Sequence, residues 1–206
     1  MPLPKGVKEI GGIVLVVVGL VFVVIGARDL YQGFSKSKDA NVLSASDVEQ
    51  AVADSALLDT ALEPKTGLSY QFPKQWKAEG LEGGGVQYGT LDGVANIRIS
   101  ADDFSGDEVT VTPELYRDSV KQQIDDMQKE QPITYTFLTE GKTTVSELPG
   151  YEWTYKLLVN DVPAAGAQVW VVKDNKVMVM TYSALENIYD TFFPTFQAMV
   201  QSITQQ

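Results

Sequence analysis

Three hydrophobic rhythms succeed one another along the chain. The first is an unbroken apolar run, IGGIVLVVVGLVFVVIGA, from Ile10 to Ala27. At about 1.5 Å per residue a helix of this length reaches roughly 27 Å, close to the roughly 30 Å hydrocarbon core of a bilayer. The run therefore predicts a single transmembrane helix inside an amino-terminal anchor, residues 1–34. It is longer than the apolar part of a cleaved signal peptide, about 7–15 residues, and Val24, Ile25, Gly26 and Ala27 make a poor cleavage site. Gly12, Gly19 and Gly26, with Gly33 beyond, recur every seven residues. On a helix they drift by only about 20° per step and form one stripe. Such a stripe suits close packing between membrane helices, although glycine is common in membrane helices without that role.

The second rhythm is weak. Residues 35–66 are small and polar, and SKSKDANVLSAS has the composition of a flexible linker. Ser46 and Glu49 form a capping-box pair ahead of Val48, Val52 and Leu58, which predicts a short helix over Asp47 to Leu58. Glu63, Pro64 and Gly67 break it.

From residue 67 to 206 the rhythm is that of a folded domain. Leu68, Tyr70 and Phe72 alternate with Ser69 and Gln71, the period of a half-buried strand, and Pro73 to Trp76 stop it. Two more strands lie within EGGGVQYGTLDGVANIRIS, where Ala95, Ile97 and Ile99 alternate with Asn96 and Arg98. Residues 111–131 turn helical: Thr112 can cap, Pro113 suits the first turn, and Glu114 complements the dipole. Tyr116, Val120, Ile124 and Met127 share one face, the one that must pack on a sheet. Three strands follow, ITYTFLTEG, then Lys142–Glu147, then YEWTYKLLV with Tyr151, Trp153, Tyr155, Leu157 and Val159 on one face. Asn160-Asp161 is a turn candidate, and two further strands flank Asp174-Asn175. Pro194 is expected to open a last helix with Phe196, Met199, Val200 and Ile203 in a stripe. An antiparallel sheet flanked by helices makes this an α+β domain.

Charge sharpens the division. Residues 1–38 carry a net +3 and residues 39–206 a net −14. An acidic body repels phosphates, which argues against nucleic-acid partners. The short basic start before the anchor favours an extracytoplasmic domain, yet Arg28, Lys36 and Lys38 beyond it balance Lys5 and Lys8. The chain has no Cys and no His, which excludes a thiol nucleophile, a Ser-His-Asp triad and an imidazole or thiolate metal site. Gly83–Gly85 lack the GK[ST] of a phosphate loop and fit a hairpin turn. DDFSGDE, Asp102 to Glu108, gathers four carboxylates, but Ala101 stands where an EF-hand needs its first ligand.

GLSYQFPKQW, TPELYRDSV and VMVMTYSALENIYDTFFPTFQAMVQSI resemble the PsbP/Mog1-like family, and the likeness runs over residues 67–204. It implies a central antiparallel sheet between helices and a binding or assembly role without catalysis. It also implies that Pro73 to Trp76 close the first strand against the core. Plant-type PsbP proteins are soluble extrinsic subunits of photosystem II, whereas this chain carries an apolar anchor. Histidines proposed for metal binding in that family have no counterpart here. The expected function is a single-pass membrane-anchored, non-enzymatic module. It would act on a membrane-associated protein, with the bilayer contacted through residues 10–27 and no cofactor. The alternatives are a photosystem II-associated accessory protein and a carboxylate-dependent hydrolase.

Overall fold

The structure is a computed structural model that describes residues 58–205, apart from 82–83, 91–92, 106–108, 131–132 and 160–161. The anchor with Gly12, Gly19 and Gly26, the predicted linker helix up to residue 57 and the Asn160-Asp161 turn lie outside the described residues. Among the described residues no helix is long and apolar enough to cross a membrane.

The folded part begins before Gly67. β1 (Leu58–Glu63) pairs antiparallel with β2 (Leu68–Pro73), Ala61 opposite Tyr70. Leu58, expected as the end of a helix, is instead the start of this strand. Glu63 holds the turn between them. Its carboxylate accepts from the Thr66 amide and the Thr66 hydroxyl, both at 2.7 Å, and so satisfies donors that the tight turn would otherwise orphan.

β3 (Lys77–Gly80), β4 (Val86–Gly89) and β5 (Ala95–Asp103) form a meander. Gly85 sits in the β3–β4 connection at φ +100°, and a Cβ there would lie 2.5 Å from the Ile99 carbonyl oxygen. Only glycine meets both demands. α1 (Pro113–Glu130) follows. Its Thr112 cap forms as the sequence predicts, the hydroxyl accepting from the Leu115 amide at 3.2 Å. β6 (Ile133–Val145) is one strand where the sequence suggested two. The break expected between Gly141 and Lys142 does not occur: Gly141 pairs with Glu152 and Lys142 with Tyr151 in unbroken register, and the strand's register shift lies earlier, between Phe137 and Thr139. β7 (Leu148–Val159), β8 (Val162–Lys173) and β9 (Lys176–Leu185) complete the sheet. The two hairpins turn on Ser146-Glu147 and Asp174-Asn175, all four at positive φ between 50° and 65°, as a two-residue reversal requires.

A single 3-10 turn, Glu186–Ile188, leads into α2 (Tyr189–Gln201), and β10 (Thr204–Gln205) pairs with β2. Pro194 lies inside α2 and does not open it. The helix starts earlier because Tyr189, Phe192 and Phe193 already belong to its packing face, and burial there outweighs the one amide that proline lacks.

Two sheets result. Seven strands run in the order β3-β4-β5-β9-β8-β7-β6, and β1-β2-β10 form a second, three-stranded sheet. All pairings are antiparallel. α1 covers one face of the larger sheet and buries Tyr116, Val120, Ile124 and Met127 against Trp153, Trp170 and Val179. α2 and the small sheet cover the opposite face, on Ile97, Ile99, Met178, Met180 and Tyr182. Trp76 is buried there, edge-on to Phe192 at 5.9 Å, so the close of the first strand against the core follows the expectation.

Three lysines fasten the small sheet to the large one. Lys65 Nζ donates to the Ala101 carbonyl at 2.6 Å, Lys173 Nζ to Thr66 at 3.2 Å, and Lys176 Nζ to Lys65 at 2.9 Å.

Candidate functional site

Strand alternation puts Ala95, Ile97 and Ile99 of β5 on the α2 face and Asn96, Arg98 and Ser100 on the α1 face. The partners on β9 split the same way: Thr181 and Ser183 lie opposite Arg98 and Asn96. On β8, Gln168 lies opposite Thr181 and Gly166 opposite Ser183. The α1 face therefore carries a buried polar tract along cross-strand rungs. One rung runs Gln87, Arg98, Thr181, Gln168, Trp153, and the next runs Asn96, Ser183, Gly166, Tyr155.

Every polar member of these rungs except Gln87 is buried, Arg98 at 2% exposure. The Arg98 Nε–H donates to Gln87 Oε1, and Gln168 Nε2 donates to the Thr181 hydroxyl at 2.9 Å. A guanidinium this deep is costly unless several hydrogen bonds meet it, and its neighbours supply amide and hydroxyl oxygens in place of apolar carbon. Sequence alternation marked Asn96 and Arg98 as the wet side of their strand. The structure buries them instead, and the signal that could have revealed this is the run Thr181, Ser183 and Gln168 at matching phase on the neighbouring strands.

The acidic segment is divided. Asp102 and Asp103 end β5 and do not belong to a loop, while Asp107 and Glu108 lie outside the described residues. Asp102 accepts a 2.9 Å hydrogen bond from the Tyr116 hydroxyl. Burial lifts its carboxyl above the ordinary value, against the lowering effects of Tyr116 and Lys65. Burial likewise raises Tyr116 far above the ordinary phenol value, with the Asp102 charge adding to it. Asp103 accepts from Ser105 and faces Lys176 at 3.7 Å, and the Ser105 bonds hold its carboxyl below the ordinary value. Among the described residues no group of three Asp, Glu, His or Cys could hold a metal ion.

The segment that joins β5 to α1 is pinned from the β8–β9 hairpin. Asn175 Oδ1 accepts from the Val111 amide at 2.6 Å, and its Nδ2 donates to the Phe104 and Val109 carbonyls. Trp170 Nε1 donates to the Pro113 carbonyl at 3.0 Å. The hairpin thus sets the position of the α1 start, and α1 in turn presents Arg117 to Tyr151, its Cζ 5.1 Å from the ring centre.

Further carboxylates form ion pairs: Glu114 with Lys142, Glu140 with Lys121, Glu186 with Lys156, Asp126 with Lys129 and Asp118 with Arg117.

No family model matches the sequence, and no curated protein is significantly similar to it. Solved structures are similar in fold. Cyanobacterial PsbP (CyanoP) from Synechocystis sp. PCC 6803 is 16% identical, with a TM-score of 0.59 over 73% of this chain and 94% of that one. LpqN of Mycobacterium tuberculosis, involved in cell envelope biogenesis, is 15% identical at a TM-score of 0.49, over 80% of this chain and 98% of its own. PA94 from Pseudomonas aeruginosa, described as a putative regulator, is 13% identical at 0.45, over 73% and 98%. With nearly the whole of CyanoP superposed, the chain carries the PsbP/Mog1-like fold that its first strand and last helix resemble.

Proposed function

We propose that the protein is a membrane-anchored accessory module of the PsbP type. Its domain would stand on the extracytoplasmic side and bind a membrane-associated protein without performing catalysis. The observation that carries this reading is the fold match to CyanoP across 94% of that chain, taken together with the apolar run Ile10–Ala27 in the sequence. Two features support it. His and Cys are absent from the chain, so the commonest nucleophile and base arrangements have no residues to use. The described carboxylates with shifted titration are engaged with Tyr116, Ser105, Lys142 and Lys129.

Tethering gives such a module a physical advantage. Confinement beside a membrane partner raises its effective concentration, so a modest contact surface suffices. The test is carbonate extraction of native membranes followed by crosslinking of the full chain in place. The chain should stay in the pellet and crosslink to one membrane protein. Recovery in the carbonate supernatant would overturn the anchor. Turnover of ester, glycoside or phosphate substrates that disappears with one carboxylate-to-amide substitution would overturn the non-catalytic reading.

A further inference from the structure

Two strands in the middle of the large sheet are buried along both faces. Every residue of β5 from Ala95 to Ala101 is buried, and every residue of β9 from Val177 to Ala184. Continuous burial of this kind requires cover above and below the sheet. On one side α2 and the small sheet provide it. On the other, α1 rests on β6, β7 and β8, and its apolar cluster reaches β9 at Val177 and Val179. Among the described residues no helix is packed on that side over Asn96, Arg98, Thr181 and Ser183, yet all four are buried.

The flank of α1 points the same way. Arg117 and Lys121 lean toward Tyr151 and Phe137, on the β7–β6 side. At about 100° per residue, Ser119 and Gln123 stand on the opposite flank, toward β9. Gln123 is nonetheless buried, and a helix flank is sealed only when something lies alongside it.

The covering element must suit a polar tract that contains a guanidinium, and the chain just ahead of β1 has that composition. NVLSASDVEQAVADSAL, residues 41–57, carries Asp47, Glu49 and Asp54 and no Lys or Arg. Val48, Val52 and Ser55 fall on one face of the helix that Ser46 and Glu49 predict, beside the small Ala51. A carboxylate brought here offsets the cost of burying Arg98, whose partners are not limited to Gln87. The route is short. Leu58 pairs with Pro73, and only the turn Lys74–Trp76 separates Pro73 from the edge strand β3. A segment entering β1 there has the sheet edge beside it and can round it to the α1 face.

We propose that residues 41–57 dock beside α1 and cover the polar tract, with an acidic side chain meeting Arg98. Docking leaves residues 28–40 as the free tether; that consequence rests on the anchor proposed above, whereas the docking does not. The native chain has no Cys, so introduced cysteines in the full chain report cleanly. Ala53→Cys, off the seated face, should be joined by a short bis-maleimide to Gln122→Cys on the exposed α1 flank and not to Ala198→Cys on α2. Ser183→Cys gives a second readout, resistance to a water-soluble maleimide. Adding Val48→Asp and Val52→Asp should speed its labelling by about tenfold or more, because carboxylates in place of two seated valines favour the open form. Crosslinking to Gln122→Cys no better than to Ala198→Cys, or Ser183→Cys labelling that the two aspartates leave unchanged, overturns the docking. Carbonate extraction tests the anchor separately, and its failure alters neither result.

Discussion

The two faces of the seven-stranded sheet are built from different chemistry. Toward α2, the sheet offers Ile97, Ile99, Val169, Val171, Met178 and Met180, apolar along the centre of the face. Toward α1, an aromatic block occupies one side, Tyr151, Trp153, Tyr155 and Trp170, and the polar rungs of Arg98, Thr181, Gln168, Asn96 and Ser183 occupy the other. The aromatic contacts are close: Trp153 meets Trp170 edge-on at 4.7 Å, and Tyr151 stacks on Trp170 at 5.3 Å. A face of aliphatic and thioether carbon gains stability by area alone. A face that buries a guanidinium and several amides gains less per unit area, because each polar group must find a partner to break even. The α2 face is therefore the stability core, and the α1 face is where stability has been traded for polar specificity.

Emptying each face tests that division first. Trp153→Ala should lower unfolding free energy by about 3–5 kcal/mol, the usual range for a buried aromatic, and Phe192→Ala on the opposite face by a similar amount. Both sites are essentially sealed, at 1% exposure. Urea denaturation measures them directly. A loss under about 1 kcal/mol at Trp153 would mean that the α1 face is not a packed core.

Gly166→Ala comes next, and it acts on the boundary between aromatic block and polar rungs. The added methyl meets the Tyr155 ring at 2.4–2.6 Å and must displace it. Overpacking of this kind costs about 1–3 kcal/mol. Tyr155→Leu combined with Gly166→Ala should recover part of the loss, since the clash partner is gone. Failure to recover any would place the cost in the backbone and not in the ring.

The strand pattern made most of this fold legible. Alternation at Leu68–Phe72, Ala95–Ile99 and Tyr151–Leu157 assigned strands whose apolar residues lie in the core, Phe72 half-buried at its margin. The helical stripe Tyr116, Val120, Ile124 and Met127 was equally direct. Three features were hidden for physical reasons. β1 has mostly exposed residues, Leu58 and Leu62 among them, so it lacks the inward signal that alternation supplies. Gly141, a residue type that reads as a strand end, splits β6 into two apparent strands although its pairing with β7 runs on through both sides. Pro194 imitates a helix start because the same residue type serves that role elsewhere. The polar tract was illegible for a further reason. Asn96 and Arg98 have the phase of a solvent face, and only pairing with β9 and β8 shows that the face is covered.

Tyr116→Phe tests a polar link on the α1 face with a pH signature. Asp102 is raised in the fold, so its contribution to stability is fully present below its unfolded value and is lost as pH rises through the folded one. The Tyr116 hydroxyl works against that rise by donating to the carboxylate. Its removal should cost about 1–3 kcal/mol at neutral pH and less in acid, where Asp102 is protonated. Denaturation midpoints from acid to neutral pH check this, and Asp102→Asn should flatten the difference. A Tyr116→Phe penalty that does not grow with pH would break the link.

The smallest effect is expected at the sheet edge, where β6 has β7 on one side only. A long edge strand invites pairing with another chain, and proteins blunt it with bulges and charge. Here the bulge at Leu138 interrupts the row, Gln128 of α1 accepts from the outward Tyr135 amide at 2.6 Å, and Lys121 pairs with Glu140. Lys121 also lies 4.9 Å from the Phe137 ring centre, so its ammonium serves two partners. Both sides of the ion pair are about a third exposed, which leaves them well screened. Lys121→Met keeps the stem over Phe137 and removes the charge. Its cost should stay within about 1 kcal/mol and shrink further in high salt. The sharper readout is association, because the charge matters more for what the edge refuses than for what the fold gains. Light scattering of Lys121→Met at rising concentration should show more self-association than wild type. An unchanged scattering curve would mean that the bulge and Gln128 guard the edge without the ion pair.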